Sequence, residues 1–167
     1  MKKHSAGILV YKRGEGGSLM VLLAHPGGPY WSSKDIGVWS IPKGMYETPE
    51  QPFAAAQREF REEIGQSAPA GDYIELGNFM RSDGKLISAW AVEGDIDIST
   101  VISNSFEMEW PPHSGKKQAF PEIDKAAWFS LTEAVVKLSS GQSVFLNRLA
   151  EKLGIEPPIA PEQSKLL

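Results

Sequence analysis

Apolar residues alternate or cluster in short runs along most of the chain, and in one stretch they recur at helical spacing. Ser5–Tyr11 (Ser-Ala-Gly-Ile-Leu-Val-Tyr) and Leu19–Ala24 are compact apolar runs separated by Gly14-Glu15-Gly16-Gly17, which predicts two strands joined as a hairpin. A loop rich in glycine, proline and aromatics follows from His25 to Val38, and a short extended segment, Trp39-Ser40-Ile41, leads to Pro42-Lys43-Gly44. From about Glu50 to Ile64 the period changes: Phe53, Ala56, Phe60 and Ile64 fall three to four residues apart and make one apolar stripe, ended by Gly65. Two more strands are expected at 72–80 and 85–92 around the turn signal Ser82-Asp83-Gly84. Further strands are expected at 106–110 and 126–129, separated by a polar loop. Thr132 with Glu133 suits the cap of a short helix, and Val144–Leu153 reads as a last helix stopped by Gly154. Strands mixed with two or three helices, without a repeat, predict one α/β domain over residues 1–154 and a loosely ordered Pro-rich tail over 155–167.

Composition narrows the chemistry. With 41% hydrophobic and 23% charged residues the chain is typical of a soluble globular domain. No apolar run approaches the ~18–20 residues of a membrane span, and the first apolar stretch is too short and wrongly flanked for a signal peptide. The absence of cysteine excludes disulfides and thiolate zinc sites. His4, His25 and His113 lack the spacing of a histidine zinc site. A net charge of −4 argues against a duplex nucleic-acid binder, while leaving room for a local basic pocket. A cytoplasmic location is the expectation; oligomeric state is not legible.

The segment from Gly44 to Gly65 carries the chemistry. Glu59, Glu62 and Glu63 stand at i, i+3 and i+4, within about 100° of one another on the helix. Like charges so placed destabilise a helix by about 0.2–0.5 kcal/mol per pair. A solvated charged face is the plain alternative, but stacking three carboxylates breaks a local rule, and such breaks tend to mark functional sites. A hard, oxygen-seeking cation is what such a cluster suits.

The segment resembles the Nudix box of the MutT/Nudix family, Gly-x5-Glu-x7-Arg-Glu-φ-x-Glu-Glu-x-Gly-φ, through Gly44, Glu50, Arg58, Glu59, Phe60, Glu62, Glu63 and Gly65. Only Gln66 departs from it, where the family prefers an apolar residue. Chance would produce this match with odds on the order of 10⁻⁶. The resemblance implies a Nudix-type α/β/α sandwich with a mixed β-sheet and the loop–helix–loop of the box. It also implies Mg²⁺-dependent hydrolysis of a diphosphate linkage in a small molecule, with Mn²⁺ as a substitute and no covalent intermediate. Glu59, Glu62, Glu63 and the carbonyl of Gly44 are then the expected metal ligands, Arg58 their orienting partner, and Glu50 an organiser of the loop. The general base is expected to be Glu63 or Glu122, which precedes the strand around 126–129.

Substrate residues are less constrained. Trp39-Ser40-Ile41-Pro42-Lys43-Gly44 resembles the Trp-x-x-Pro-Lys-Gly approach to the box in dinucleoside polyphosphate hydrolases, placing Lys43 as a phosphate ligand. Features of other classes are missing. Ser82-Asp83-Gly84 occupies the zone of a tyrosine found in bacterial members of that class, Arg81 stands where ADP-ribose hydrolases carry proline, and the NADH pyrophosphatase signature is absent. Dinucleoside polyphosphates or nucleoside triphosphates are favoured; a non-catalytic nucleotide-sensing Nudix module is the alternative. Tyr30, Trp31, Tyr46 and Trp110 are candidates to stack on a base, against packing as their plain role, while Trp39, Trp90 and Trp128 sit in strand-like contexts. His113, Lys116 and Lys117, in the stretch from Trp110 to Pro121, form a local basic cluster expected either to close over distal phosphates or to be a solvated loop.

Overall fold

The computed structural model describes residues 3–159. Strands β1 (Lys3–Arg13), β2 (Leu19–Pro26), β3 (Lys43–Tyr46), β4 (Ile74–Met80), β5 (Lys85–Glu93) and β8 (Ile123–Ser130) form one mixed sheet. Its order is β4-β5-β1-β2-β8, with β3 also paired to β1. β1 runs parallel to β5 and antiparallel to both β2 and β3. The central strand thus gives its first half to β3 and its second to β2, which sets the start of the box against the middle of the sheet.

Alternation along β1 divides the interior in two. Ala6, Ile8 and Val10 face helix α1 (Pro52–Ile64) and pack with Ala55, Ala56, Phe60 and Ile64. Leu9 and Tyr11 face the other way, toward helices α2 (Leu131–Lys137) and α3 (Ser143–Leu153), and join Phe145, Leu146 and Leu149. This is the expected α/β/α sandwich. Phe60 is fully buried, so Phe60→Ala would cost about 3–5 kcal/mol. α1 begins with a proline in its first turn, whose missing N–H is no loss there, and ends where Gly65 turns left-handed at φ 81. Among the described residues no helix is long and apolar enough to cross a membrane.

Three expectations are corrected. The stretch from Trp110 to Pro121 is not one loop: β7 (Lys117–Pro121) pairs antiparallel with β6 (Ser105–Glu109) as a separate two-stranded hairpin. The cap of α2 is Ser130 rather than Thr132; its hydroxyl accepts from the Glu133 amide while the Glu133 carboxylate accepts from the Ser130 amide. That reciprocal box needs a three-residue spacing, which Ser130 supplies and Thr132 does not. Residues 155–159 lie against α3, with Ile159 buried and its backbone bonded in both directions to the Asn147 amide side chain; the rest of the tail, 160–167, lies outside the described residues. Gln66, where an apolar residue is usual, donates to the carbonyl of Asp97 and the hydroxyl of Thr100, tying the end of α1 to the turn at 98–100. Trp39 is core, and Trp90 and Trp128 pack half-buried against the α1 side.

Candidate active site

The box glutamates are organised by one arginine. Arg58 grips Glu50 with a two-point fork, Nε to Oε2 at 2.8 Å and Nη2 to Oε1 at 2.9 Å. Its Nη1 donates to Glu59 Oε1 at 2.8 Å and to Glu62 Oε2 at 3.1 Å. One guanidinium therefore joins the loop before the helix to two successive turns of it, using the planar donor geometry a lysine lacks. The bonds to Glu50 above all hold Arg58 firmly protonated, and in return they hold the Glu50 carboxyl below its ordinary value.

Glu59 and Glu63 are both nearly buried, while Glu62 is half-exposed. Glu63 turns toward the sheet, where its Oε2 accepts from the backbone amide of Lys43 at 3.2 Å. Burial raises the pKa of Glu63 to about 8, against the opposing pull of Lys43. Burial likewise raises Glu59, despite Arg58. Gly44 lies directly under the Glu59 carboxylate: a Cβ there would fall 1.9 Å from Oε2. A side chain here would push the Glu59 carboxylate aside, so glycine is what leaves it where Arg58 holds it.

Glu122 belongs to the same field. Burial and the charge of Glu62 raise its pKa, and its own charge raises Glu59 and Glu63. Its backbone is pinned from both sides: its amide donates to the Asn104 carbonyl at 2.8 Å, and its carbonyl accepts from the Gly27 amide at 2.8 Å. The Asn104 amide in turn donates to the carbonyl of Glu62 at 2.9 Å. This short relay fastens Glu122 to the last turn of α1. No sequence signal announces Asn104, because its role is carried by its backbone.

The donor set suits a hard divalent cation: four carboxylates with raised proton affinity or mutual repulsion, and a backbone approach bared by Gly44. Among the described residues, however, no three acidic or histidine side chains converge as a ready-made cage. Arg58 holds oxygens of Glu59 and Glu62, and the Lys43 amide holds Glu63. A cation held here would take those oxygens from their hydrogen-bond donors.

The remaining sequence candidates separate. Lys43 is brought to the site, its pKa lowered by burial against the favourable charge of Glu63. Tyr46 lines a cavity of about 450 Å³ with His4, Glu50 and Gln51, on the α1 side of β3. His113, Lys116 and Lys117 lie at the exposed tip of the β6–β7 hairpin, and among the described residues their hydrogen bonds involve only hairpin groups. Lys117 is five strand residues from Glu122, roughly 17 Å along an extended chain. Tyr30 and Trp110 meet edge to face at 5.3 Å, so these two aromatics pack on each other, while Trp31 lies under the Lys34 ammonium.

A family model of the NUDIX domain matches residues 1–149. Comparison with curated proteins finds no similar sequence. Among solved structures, the NUDIX domain of Shewanella oneidensis NrtR complexed with ADP ribose is similar at 12% identity, over 92% of this chain and 89% of that one, with a TM-score of 0.61. A C. elegans Ap4A hydrolase is similar at 18% identity, over 91% of this chain and 98% of that one, with a TM-score of 0.58. RenU, a Nudix hydrolase from M. smegmatis, is similar at 20% identity, over 95% and 90%, with a TM-score of 0.58. At these identities the structural likeness speaks for the fold, and the family model together with the intact box speaks for more: the chain belongs to the NUDIX family, as a hydrolase of phosphoric anhydrides.

Proposed function

We propose that this protein hydrolyses a diphosphate linkage in a nucleotide-linked small molecule, with Mg²⁺ as its cofactor and a dinucleoside polyphosphate or nucleoside triphosphate as its substrate. The observation that carries the reading is the single guanidinium of Arg58 gathering Glu50, Glu59 and Glu62 above a glycine that a side chain would block. Glu59, Glu62, Glu63 and the Gly44 carbonyl would hold the cation. When bound, Mg²⁺ polarises the phosphoryl oxygens of the scissile linkage and acidifies an attacking water.

The chain's own groups do the rest. Arg58 keeps the carboxylates in register. Glu122, pinned beside Glu62, accepts the proton of the attacking water on a carboxylate oxygen; burial and the charge of Glu62 raise its proton affinity, which makes it a better base. The water oxygen bonds to phosphorus as the bridging P–O bond breaks, and the departing phosphate carries the electron pair away. The Lys43 ammonium, whose charge is felt at Glu63, meets a non-bridging oxygen of the chain.

The approach Trp39-Ser40-Ile41-Pro42-Lys43-Gly44 and the likeness to an Ap4A hydrolase favour the dinucleoside polyphosphates. A panel of dinucleoside polyphosphates, nucleoside triphosphates, ADP-ribose and NADH, assayed with Mg²⁺ and again with chelator, tests the reading. Cation-dependent cleavage with identified mononucleotide products supports it; no turnover of any member would defeat it.

A further inference from the structure

A second cationic group stands on the far face of the sheet from α1. Arg81 and Lys85 flank the β4–β5 turn, where the Arg81 amide donates to the Lys85 carbonyl at 2.8 Å. Register places them with the box: across β1, Lys85 pairs with Lys3, Ile87 and Met45 both pair with Ser5, and Lys43 pairs with Gly7. Alternation therefore puts Lys43, Ser5 and Lys85 on one face, two steps of β1 apart.

Two independent features mark the same face. The hydroxyl of Ser5, which is 1% exposed, is the buried side-chain polar atom without a hydrogen-bond partner among the described residues. It lies between the register positions of Lys43 and Lys85, with unmet capacity to donate. Beyond Arg81 opens a cavity of about 360 Å³ lined by Phe79, Met80, Arg81, Ser82 and the Ser139–Gly141 segment. Phe79 lies so close to Gly141 that a Cβ there would fall 2.3 Å from its ring, so this wall of the cavity is a ring set against bare backbone. Arg81 is engaged by Asp83 at 3.2 Å, a solvent-exposed pair that a phosphate can displace.

We propose that Arg81, Lys85 and the adjoining cavity form a subsite for the phosphates beyond the scissile linkage and for the nucleoside they carry. Resting on the hydrolytic reading above, this makes the protein selective for polyphosphate chains over single diphosphates. The chain leaves the carboxylates at Lys43, runs over the side chains that cover the buried Ser5 toward Lys85 and Arg81, and ends with its nucleoside against Phe79.

The test measures KM for substrates bridged by two, three, four and five phosphates, in wild type and in the Arg81→Gln, Lys85→Gln double variant, with Lys152→Gln as a control for loss of a distant exposed cation. The expected result is a KM raised about tenfold or more for the four- and five-phosphate substrates, with a much smaller change for the diphosphate. Alongside it, calorimetry follows binding of inorganic tripolyphosphate without Mg²⁺, expected to weaken by about tenfold or more in the double variant but not in the control. If wild type turns over no substrate yet binds tripolyphosphate through these two residues, the subsite stands and the hydrolytic reading falls. Equal KM shifts at every chain length, or tripolyphosphate binding unchanged by the double variant, overturns the subsite.

Discussion

The α-carbon of Gly44 sits beneath the carboxylate of Glu59, close enough that a single methyl group there would occupy the place of its Oε2, 1.9 Å away. Gly44→Ala therefore has to drive Glu59 off its hydrogen bond with Arg58. Overpacking of this kind costs about 1–3 kcal/mol of stability. Activity should fall further than that strain suggests if Glu59 holds the cation as proposed, because the carboxylate moves with it. Melting temperature and kcat measured together check this; an Ala variant with wild-type turnover would mean that Glu59 holds no cation.

Glu62→Gln and Glu63→Gln should each lower kcat by at least about 10²-fold, the scale on which loss of one major electrostatic stabiliser is felt. Neither should lower the melting temperature of metal-free protein appreciably at neutral pH, because Glu62→Gln relieves repulsion among neighbouring carboxylates and Glu63→Gln keeps the uncharged form that burial already favours below about pH 8. Near wild-type turnover in either variant removes that residue from the site.

The metal-free protein should lose stability as pH rises. In the unfolded chain Glu63 ionises at its ordinary value of 4.5, and in the folded protein at about 8. Between these values the folded state holds a proton that the unfolded state has released. The stabilisation is thus complete below about 4.5 and lost as pH climbs through about 8. Thermal melts in chelator across this range should show the decline, and Glu63→Gln should flatten it. Mg²⁺ affinity should tighten over the same interval, since the cation displaces that proton. Calorimetry showing Mg²⁺ binding independent of pH here would contradict the burial of Glu63.

Arg58→Lys keeps the charge and loses the fork. With hydrogen bonds to three carboxylates at stake, metal-free stability should drop by about 1–3 kcal/mol, and saturating Mg²⁺ should restore part of it by taking over the same oxygens. A lysine variant as stable as wild type in chelator would show that the fork contributes nothing.

Glu122→Gln should reduce kcat by about 10²–10⁴-fold while leaving Mg²⁺ affinity nearly intact. Wild-type kcat/KM should rise with pH through the neutral range, and the variant should lose that rise. A retained pH profile with only reduced Mg²⁺ binding would make Glu122 a ligand instead of a base.

The box was readable because its chemistry is local: ligand spacing on one helix, the glycine before it and the glycine that stops it all lie within one segment, Gly44 to Gly65. What escaped reading depends on contacts between distant segments. β7 reads Lys-Gln-Ala-Phe-Pro, with a single large apolar residue and a closing proline, and only pairing with β6 reveals it as a strand. Arg81 and Lys85 look like ordinary turn flanks until β5 is laid parallel to β1. Asn104 acts through its peptide group, which every residue possesses, so nothing in its side chain could announce it.

The two ends of the β6–β7 excursion are clasped to each other: Asn104 and Glu122 are hydrogen-bonded, and beside them the Ser103 hydroxyl bonds the Ile123 backbone. Everything from 105 to 121 is consequently an appendix hung from a closed clasp, and closing such a span depends only weakly on its length. Beyond its Tyr30–Trp110 contact the hairpin can be lengthened or shortened without shifting the carboxylate at its root from the helix beside it. Chemistry and the outer surface of this enzyme are in that sense separately heritable, and an exchanged hairpin could redraw what the enzyme admits while leaving how it cuts untouched.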